Sequence, residues 1–266
     1  MKRLLTIQDL SCVGQCSTTV ALPLVSACGV ECAVLPPAML SNHTGGFKSW
    51  SFRDLTGELP AVEEQWVAQG IRFDAFYTGY VCESHIDPIL SIMEHCANPG
   101  AIRIVDPAMA DNGVLYKGFA ADFPTKMARL VKGADYVLPN LTEAALLTGR
   151  RPFEEKPETL IAALHDLGAR GVVLTGVSFD ERELGSATSD GRTVVYDFNP
   201  RLATMHHGTG DVFASVFAGA VLRGRTAAEA AALAADVVCE AIRLTDPGHW
   251  YGVSFERAIP YLVSHL

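Results

Sequence analysis

Short apolar runs rich in β-forming residues alternate along this chain with segments of helical pattern. The apolar runs lie at 3–7, 31–35, 74–80, 101–105, 135–138, 171–175 and 193–198. The helical segments lie at 18–28, 60–69, 86–97, 122–132, 142–148 and 157–167. Strand, helix, strand is the order that builds a mostly parallel sheet, and runs that are apolar on both alternations indicate helices on both of its faces. The sequence therefore predicts an α/β fold around such a sheet.

The final third of the chain consists of two long alanine-rich helical stretches. The first runs from Asp211 to a break at Gly224, and the second opens at Thr226, a helix-capping residue with Glu229 three positions later. No repeat of fixed period, low-complexity tract or Pro/Ser-rich linker divides the sequence. We therefore expect residues 1–266 to form a single domain.

Composition and charge narrow the class of protein and of ligand. Hydrophobic residues make up 49% of the chain and charged residues 19%, which is typical of a folded globular protein. The formal net charge is -9 and there is no basic run, which argues against a nucleic-acid partner. A phosphate-bearing ligand would then depend on backbone N–H groups and a bound cation.

The sequence gives no sign of secretion or membrane insertion. The N-terminal segment has only a short apolar stretch before Gln8 and Asp9, and nowhere is there an apolar run of about 18 residues. We expect a cytoplasmic protein with no membrane partner.

A glycine-rich turn, GTGD at 208–211, leads directly into the first C-terminal helix. Gly208 and Gly210 can adopt positive φ and let a ligand approach the backbone, while the free N–H groups and dipole of the helix attract an anion. Asp211 is either an ordinary helix-capping carboxylate or a general base. Two glycines around Thr209 exceed what a cap requires, and a base beside an anion hole suits phosphoryl transfer to a hydroxyl group.

Six segments resemble, in the same order, those of the pyridoxal kinases of the ribokinase-like superfamily. They are LTIQD at 5–9, SNHTGG at 41–46, YTGY at 77–80, VDPAM at 105–109, PNLTE at 139–143 and GTGD at 208–211. SNHT and GTGD are the most specific, and together the segments cover most of the chain. The resemblance implies a ribokinase-like three-layer sandwich with helices on both faces of the sheet, and an ATP-dependent kinase that acts on the ring-bound CH₂OH group of vitamin B6.

The resemblance assigns roles to the glycine-rich turn. It implies that Asp211 is the general base for the 5′-hydroxymethyl group. It also implies that the anion hole is formed by Gly208, Thr209 and Gly210.

Four further residues match positions that the resembling family uses around ATP. Asp106, Asn140 and Glu143 correspond to positions near Mg²⁺ and the phosphates, partly through water, with Asp106 and Glu143 as the metal ligands, and Thr175 corresponds to a position near the nucleotide. Magnesium also fits independently, because this hard cation bridges phosphates with one or two carboxylates. Each of these residues also has a purely structural interpretation. In that case Asp106 is a turn residue before a proline, the segment from Asn140 to Glu143 starts a helix, and Thr175 ends a strand.

Three residues fall where the resembling family contacts the substrate ring: Asp9, Thr44 and Tyr80. His43 and Phe47 are candidate neighbours, and residues 109–119 have the composition of a mobile loop that, by resemblance, covers ATP. One departure stands out, since better-known pyridoxal kinases usually have serine where this chain has Asp9. A carboxylate near the ring nitrogen favours the protonated pyridinium, which predicts an altered preference or pH dependence among pyridoxal, pyridoxine and pyridoxamine.

Two other functions stay open at this point. A hydroxymethylpyrimidine kinase has the same fold and a similar ring with a CH₂OH group, and Asp9 removes one match to the pyridoxal branch. A non-catalytic small-molecule sensor on the same scaffold would need neither base nor metal. The resemblance alone implies a homodimer and leaves a monovalent-cation requirement open.

Overall fold

The computed structural model describes residues 1–204 and 206–266, and its centre is an eight-stranded sheet. The strands in chain order are β1 (Arg3–Ile7), β2 (Leu10–Ser11), β3 (Glu31–Leu35), β4 (Ala38–Leu40), β5 (Phe52–Asp54), β6 (Phe73–Thr78), β7 (Ala97–Val105), β8 (Ala110–Asp111), β9 (Val114–Leu115), β10 (Tyr136–Val137), β11 (Val172–Val177), β12 (Glu183–Ser189) and β13 (Val194–Pro200). The order across the central sheet is β13-β12-β11-β10-β7-β6-β1-β3.

The six strands from β3 to β11 in this order pair in parallel, whereas β11, β12 and β13 pair antiparallel. The predicted mostly parallel sheet is therefore confirmed. The predicted run at 193–198 corresponds to β13, but it does not follow a helical crossover. It returns as the second arm of a hairpin whose first arm, β12, the sequence pattern did not reveal.

Helices cover both faces of the sheet. They are α1 (Thr18–Ala27), α2 (Leu59–Ala68), α3 (Ile86–His95), α4 (Phe123–Val131), α5 (Leu141–Leu147), α6 (Pro157–Asp166), α7 (Thr209–Leu222), α8 (Ala227–Leu244) and α9 (Ile259–Ser264). Helices α2 to α6 bury their apolar side chains on one face, and α1, α7, α8 and α9 bury theirs on the other. The two cores sandwich the sheet, which confirms the predicted three-layer architecture.

Local sequence explains where two important helices begin. The side chain of Asn140 accepts a hydrogen bond from the backbone N–H of Glu143, whose carboxylate accepts one from the N–H of Asn140. Thr226 and Glu229 form the same reciprocal cap at the start of α8. Both helix starts predicted from the sequence are confirmed.

Two small sheets lie outside the central one. Strands β2, β4 and β5 form a three-stranded sheet that begins one residue after Asp9, and β8 pairs with β9 in a short hairpin. The hairpin lies within the stretch 109–119 that the sequence predicted as a loop. Among the helices in the described ranges, none is both long and apolar enough to cross a membrane.

Candidate active site

The carboxyl ends of five strands bring most of the predicted site residues to one edge of the sheet. In strand order they are Thr175 on β11, Asn140 after β10, Asp106 after β7, Tyr80 after β6 and Asp9 after β1. The chain moves from β1 to β3 on one side and then to β6 on the other, so its winding direction reverses beside β1. Ligands in open parallel sheets bind at such a reversal, which lies between Asp9 and Tyr80.

The first turn of α7 reaches the same edge and begins at a glycine with a left-handed backbone. Gly208 has φ +83°, and a Cβ atom there would lie 1.8 Å from the carbonyl oxygen of Gln15. No other residue type can occupy this position without moving the loop around Gln15. Gly210 differs from the prediction, because it lies inside the helix without a positive φ, and the space around its Cβ direction contains no protein atom of the described chain within 4 Å.

Asp211 lies in this first turn and is partly buried. The pKa of its carboxyl group is raised to about 7, chiefly by burial and to a smaller extent by the nearby charge of Asp9, while hydrogen bonds from the backbone of Ser17 and from the start of α7 act in the opposite direction. A carboxylate with a pKa near neutrality is suited to accept a proton from a hydroxyl group at physiological pH.

Asp9 is almost fully buried and is held by two serines. It accepts a hydrogen bond from Ser11 Oγ at 2.8 Å and one from the side chain of Ser17. Burial raises the pKa of Asp9, and the two hydrogen bonds oppose that rise. Because its charge acts on Asp211, the predicted ring-contacting carboxylate and the predicted base lie at the same end of the site.

Ser17 is a site residue that the sequence did not reveal. It has φ +50°, a conformation that is strained for a residue with a side chain, and it links the two carboxylates through its backbone and its hydroxyl group. Its neighbours fix it: Thr18 Oγ1 donates to the carbonyl of Gln8 at 3.0 Å, and Thr19 Oγ1 donates to the carbonyls of Gly14 and Cys16. No local motif marks this geometry in the sequence.

Asp106 contributes a second negative centre. Burial, followed by the charges of Glu143 and Asp211, raises the pKa of its carboxyl group well above the ordinary value. Within residues 1–204 and 206–266, no side-chain or backbone donor makes a hydrogen bond to this carboxylate. No donor in these ranges therefore competes with a ligand for its oxygens.

Glu143, unlike Asp106, is engaged by backbone N–H groups. Its Oε1 accepts hydrogen bonds from the backbone N–H groups of Met109 and Ala110, and its Oε2 accepts the one from Asn140. Burial raises its pKa to about 8, and these three hydrogen bonds oppose the rise. Asn140 also donates to the carbonyl of Ala110 at 2.8 Å. Glu143 and Asn140 thus fasten the segment after β7 to the start of α5.

The sequence predicts that Thr175 ends its strand, and this prediction is wrong. Strand β11 continues to Val177 through a bulge at Gly176, which has φ +76°. The backbone N–H and the hydroxyl of Thr175 both donate to the carbonyl of Pro139, so Thr175 pairs with the start of the Asn140 segment.

Thr44 is exposed, in a loop that packs against the glycine-rich turn through its neighbours. His43 and His207 meet edge to face with ring centroids 5.7 Å apart, and a Cβ on Gly45 would lie 2.8 Å from both rings. Burial and the charge of His207 lower the pKa of His43 to about 4, which keeps this imidazole neutral. The loop is thus placed next to Gly208.

Tyr80 and Phe47 lie in separate aromatic groups. The ring of Tyr80 packs on Phe119 at 5.3 Å, beside a cleft of about 810 Å³ that is also lined by Trp50 and Cys82. Phe47 instead packs on Trp250, with centroids 4.8 Å apart. The aromatic rings of Tyr80 and Phe119 at this cleft suit the binding of a planar ring.

Asp211 has a pKa near neutrality and lies at the start of α7, where the helix has free N–H groups. Such an acid can deprotonate a hydroxyl group while the N–H groups hold the charge of a phosphate beside it. The fold and the site therefore define a small-molecule kinase of the α/β type. The family model for phosphomethylpyrimidine kinase matches residues 25–254, and the chain belongs to this family.

Relatives and solved structures agree with that class. A pyridoxal kinase, PdxY, from Corynebacterium diphtheriae is 31% identical over 266 aligned residues, which cover 91% of this chain and 89% of the relative. The crystal structure of pyridoxal kinase from Lactobacillus plantarum is 32% identical, with a TM-score of 0.92 over 99% of this chain and 97% of that one. A candidate phosphomethylpyrimidine kinase from Bacteroides thetaiotaomicron, in a crystal form with pyridoxal, is 29% identical with a TM-score of 0.91 over 98% and 95% of the two chains. The kinase class and the ribokinase-like resemblance are confirmed.

Proposed function

We propose that this kinase transfers the γ-phosphate of ATP to the 5′-hydroxymethyl group of B6 vitamers, giving the 5′-phosphate in vitamin B6 salvage. The observation that carries the proposal is the proximity of Asp9 and Asp211, whose charges interact at the reversal point of the sheet. A pyridine ring held at Asp9 presents its hydroxymethyl group toward Asp211. The pyridoxal kinases among the relatives support this substrate class.

The proposed reaction needs one base and one anion site. The hydroxyl oxygen attacks the γ-phosphorus, the bond to the oxygen that bridges the β- and γ-phosphates breaks, and ADP leaves. Asp211 takes the hydroxyl proton, and the N–H groups of Gly208, Thr209 and Gly210 hold the negative charge of the transferring phosphoryl group together with the dipole of α7. By resemblance, Asn140 and Thr175 would contact the nucleotide.

The residues present fit Mg²⁺, as judged from the charges at the site. Burial, followed by repulsion from Glu143 and Asp211, raises the pKa of the Asp106 carboxyl group, so a divalent cation bound there would stabilise its charged form. The described residues contain no cluster of three or more metal-ligating side chains, so an ion here would take water and phosphate oxygens as its other ligands. We infer that Asp106 would bind the ion directly and that Glu143, already engaged by three N–H groups, would contact it through water. When bound, Mg²⁺ would neutralise phosphate charge.

A second candidate function is phosphorylation of hydroxymethylpyrimidine. The family description of the matching model favours it, and so does Asp9, which replaces the serine usual in better-known pyridoxal kinases. Its ring and hydroxymethyl group would use the same base and anion site, so the two functions differ only in ring recognition.

The decisive experiment measures ADP release with Mg²⁺-ATP and, in turn, pyridoxal, pyridoxine, pyridoxamine and hydroxymethylpyrimidine. We expect kcat/KM for at least one vitamer to exceed that for hydroxymethylpyrimidine by roughly tenfold or more, because one or two ring contacts differ between them. A reversed order would establish the pyrimidine kinase. No turnover on any of the four compounds would favour the sensor and overturn the kinase reaction.

Replacing Asp9 by serine is expected to change the relative kcat/KM values of the three vitamers and their pH profiles. The variant loses a carboxylate that favours the pyridinium form of the ring. It also loses a charge that raises the pKa of Asp211, so the acidic limb of the profile should move to lower pH.

Asp9→Asn is the matched control, because it removes the charge and keeps the shape. If the profiles of Asp9→Ser and the wild type coincide for all three vitamers, Asp9 has no role in ring recognition.

Several finer assignments belong to the same proposal. By resemblance we infer a homodimer, a cytoplasmic location and a single kinase domain over residues 1–266. The ADP-release assay with and without a monovalent cation tests whether the reaction requires one.

A further inference from the structure

A group of buried polar side chains lies close to Asp106 and Asp211, in a layer that is otherwise apolar. Gln8 follows β1, Tyr77 lies on β6 opposite Thr6 of β1, and Ser215 lies on α7. All four side chains are fully buried. Their neighbours on this face of the sheet, including Leu4, Ala75 and Ile104, belong to the apolar core under α1 and α7.

Helical spacing connects this group to the proposed base. Ser215 is four residues after Asp211, so the two side chains lie on the same face of α7, one turn apart. On the sheet, the side chains of Thr6 and Gln8 alternate with that of Ile7 and so share the face that carries Tyr77. The polar group therefore occupies the level immediately below Asp211.

Few hydrogen bonds engage the polar atoms of the group. Gln8 Nε2 donates to Thr6 Oγ1 at 2.8 Å, whereas Gln8 Oε1, Tyr77 Oη and Ser215 Oγ have no hydrogen-bond partner of normal geometry in the described part of the chain. Buried polar atoms without partners are destabilising, and three at one level call for a reason.

Gly79 shows how closely this group is fitted. A Cβ on Gly79 would lie 2.2 Å from Gln8 Oε1, so the amide of Gln8 lies tightly under the backbone that follows β6. Gly79 has no positive φ, and its lack of a side chain is therefore required by space alone.

The Tyr77 hydroxyl also experiences the charge of both acids. Burial raises its pKa well above the ordinary value, and the charges of Asp106 and Asp211 raise it further, with Ser215 and Gln8 acting in the opposite direction. The phenol stays protonated and can donate its hydrogen to Gln8 or Ser215.

We propose that Tyr77 is a positioning residue for phosphoryl transfer. Its buried hydroxyl, together with Ser215 and Gln8, fixes the first two turns of α7 relative to the ends of β1 and β6, and so holds Asp211 in place for the substrate hydroxyl. This inference rests on the proposed base, but not on which ring compound is the substrate.

The test compares Tyr77→Phe with Tyr136→Phe, a matched control. Tyr136 is half-buried on β10, its ring packs on Phe217 of α7 at 5.3 Å, and the one charge from the described part of the chain that acts on its hydroxyl is that of Asp135. We expect Tyr77→Phe to lower kcat about tenfold with KM for ATP and for the second substrate changed less than twofold, because a displaced base affects the chemical step. Tyr136→Phe should keep the wild-type kcat.

A double variant tests whether the group acts as a unit. Ser215→Ala added to Tyr77→Phe should lower kcat by less than a further twofold, because the neighbouring hydroxyl to which Ser215 would hydrogen-bond is already lost. Additive losses, an unchanged kcat in Tyr77→Phe, a loss confined to KM, or an equal loss in Tyr136→Phe would each overturn the inference.

The measurements use whichever of the four ring compounds the wild-type protein phosphorylates. Turnover by the wild type with no effect of Tyr77→Phe refutes the positioning role alone. Absence of any turnover by the wild type refutes the proposed kinase reaction, and the positioning role with it. Thermal unfolding of each variant checks that the phenylalanine ring maintains the core.

Discussion

Replacing Asp211 by asparagine is expected to lower kcat by roughly 10²–10⁴ while leaving the binding of both substrates largely intact, because general-base catalysis usually contributes that much. Asparagine keeps the shape and can still accept a hydrogen bond from Ser17, but it cannot accept the hydroxyl proton. In the wild type, kcat/KM should rise as the pH increases through about 7, where the Asp211 carboxyl group ionises. The measurement is ADP release as a function of pH, with substrate affinities determined separately.

Glu229→Gln is the control for the other interpretation of Asp211. Glu229 occupies the first turn of α8 and serves there as an ordinary helix cap. Its replacement should affect the start of α8 and leave kcat unchanged. Equal activity in Asp211→Asn and the wild type would remove Asp211 from the mechanism and return it to the role of a cap.

The Asp211→Asn substitution should also stabilise the fold at alkaline pH. The pKa of Asp211 is higher in the folded protein than in the unfolded chain, so its contribution to stability is present at low pH and is lost as the pH rises from about 4 through about 7. Asparagine avoids that loss. Because Asp211 still reaches solvent, we expect a gain of about 1 kcal/mol at pH 8, or about 2–4 °C in Tm.

The sheet and the position of the site could be predicted because both depend on short-range patterns. Apolar runs located the parallel strands, and the carboxyl ends of parallel strands lie at a common edge. Asp9, Asp106 and Asn140 could therefore be placed near one another from the amino-acid sequence alone. The cap between Asn140 and Glu143 was also visible, because it acts over three residues.

Features that depend on contacts between distant segments could not be predicted. Strand β12 carries buried threonine and serine, whose polar side chains conceal it, and the sheet formed by β2, β4 and β5 is built from strands of two or three residues. The strained backbone of Ser17 is imposed by Thr18 and Thr19 and by the packing of its loop. The engagement of Glu143 with Met109 and Ala110 likewise joins residues more than 30 positions apart.

Replacing Gly208 by alanine is expected to reduce both stability and activity, whereas Gly210→Ala should leave stability intact. Alanine at 208 would have to adopt a left-handed backbone and would place its Cβ 1.8 Å from the carbonyl of Gln15, a backbone atom that can move only with its loop. We expect a loss of about 2–4 kcal/mol in the free energy of unfolding, by the cost of strain and overpacking. Because that loop continues to Ser17, whose backbone donates a hydrogen bond to Asp211, kcat should fall roughly 10²-fold or more, as when one donor of an anion hole is lost.

The Gly210→Ala variant tests the approach of the ligand to the backbone in a protein that still folds normally. The backbone at 210 is helical, its Cβ would meet no described protein atom within 4 Å, and alanine is a better helix former than glycine by about 1 kcal/mol. The variant should therefore unfold at the same temperature as the wild type or slightly above it. If the phosphate approaches across residue 210, the added methyl group must weaken ATP binding or lower kcat in this stable protein. A stable and fully active Gly210→Ala would remove Gly210 from the anion hole, and a stable, active Gly208→Ala would show that the loop around Gln15 can shift without disturbing Asp211.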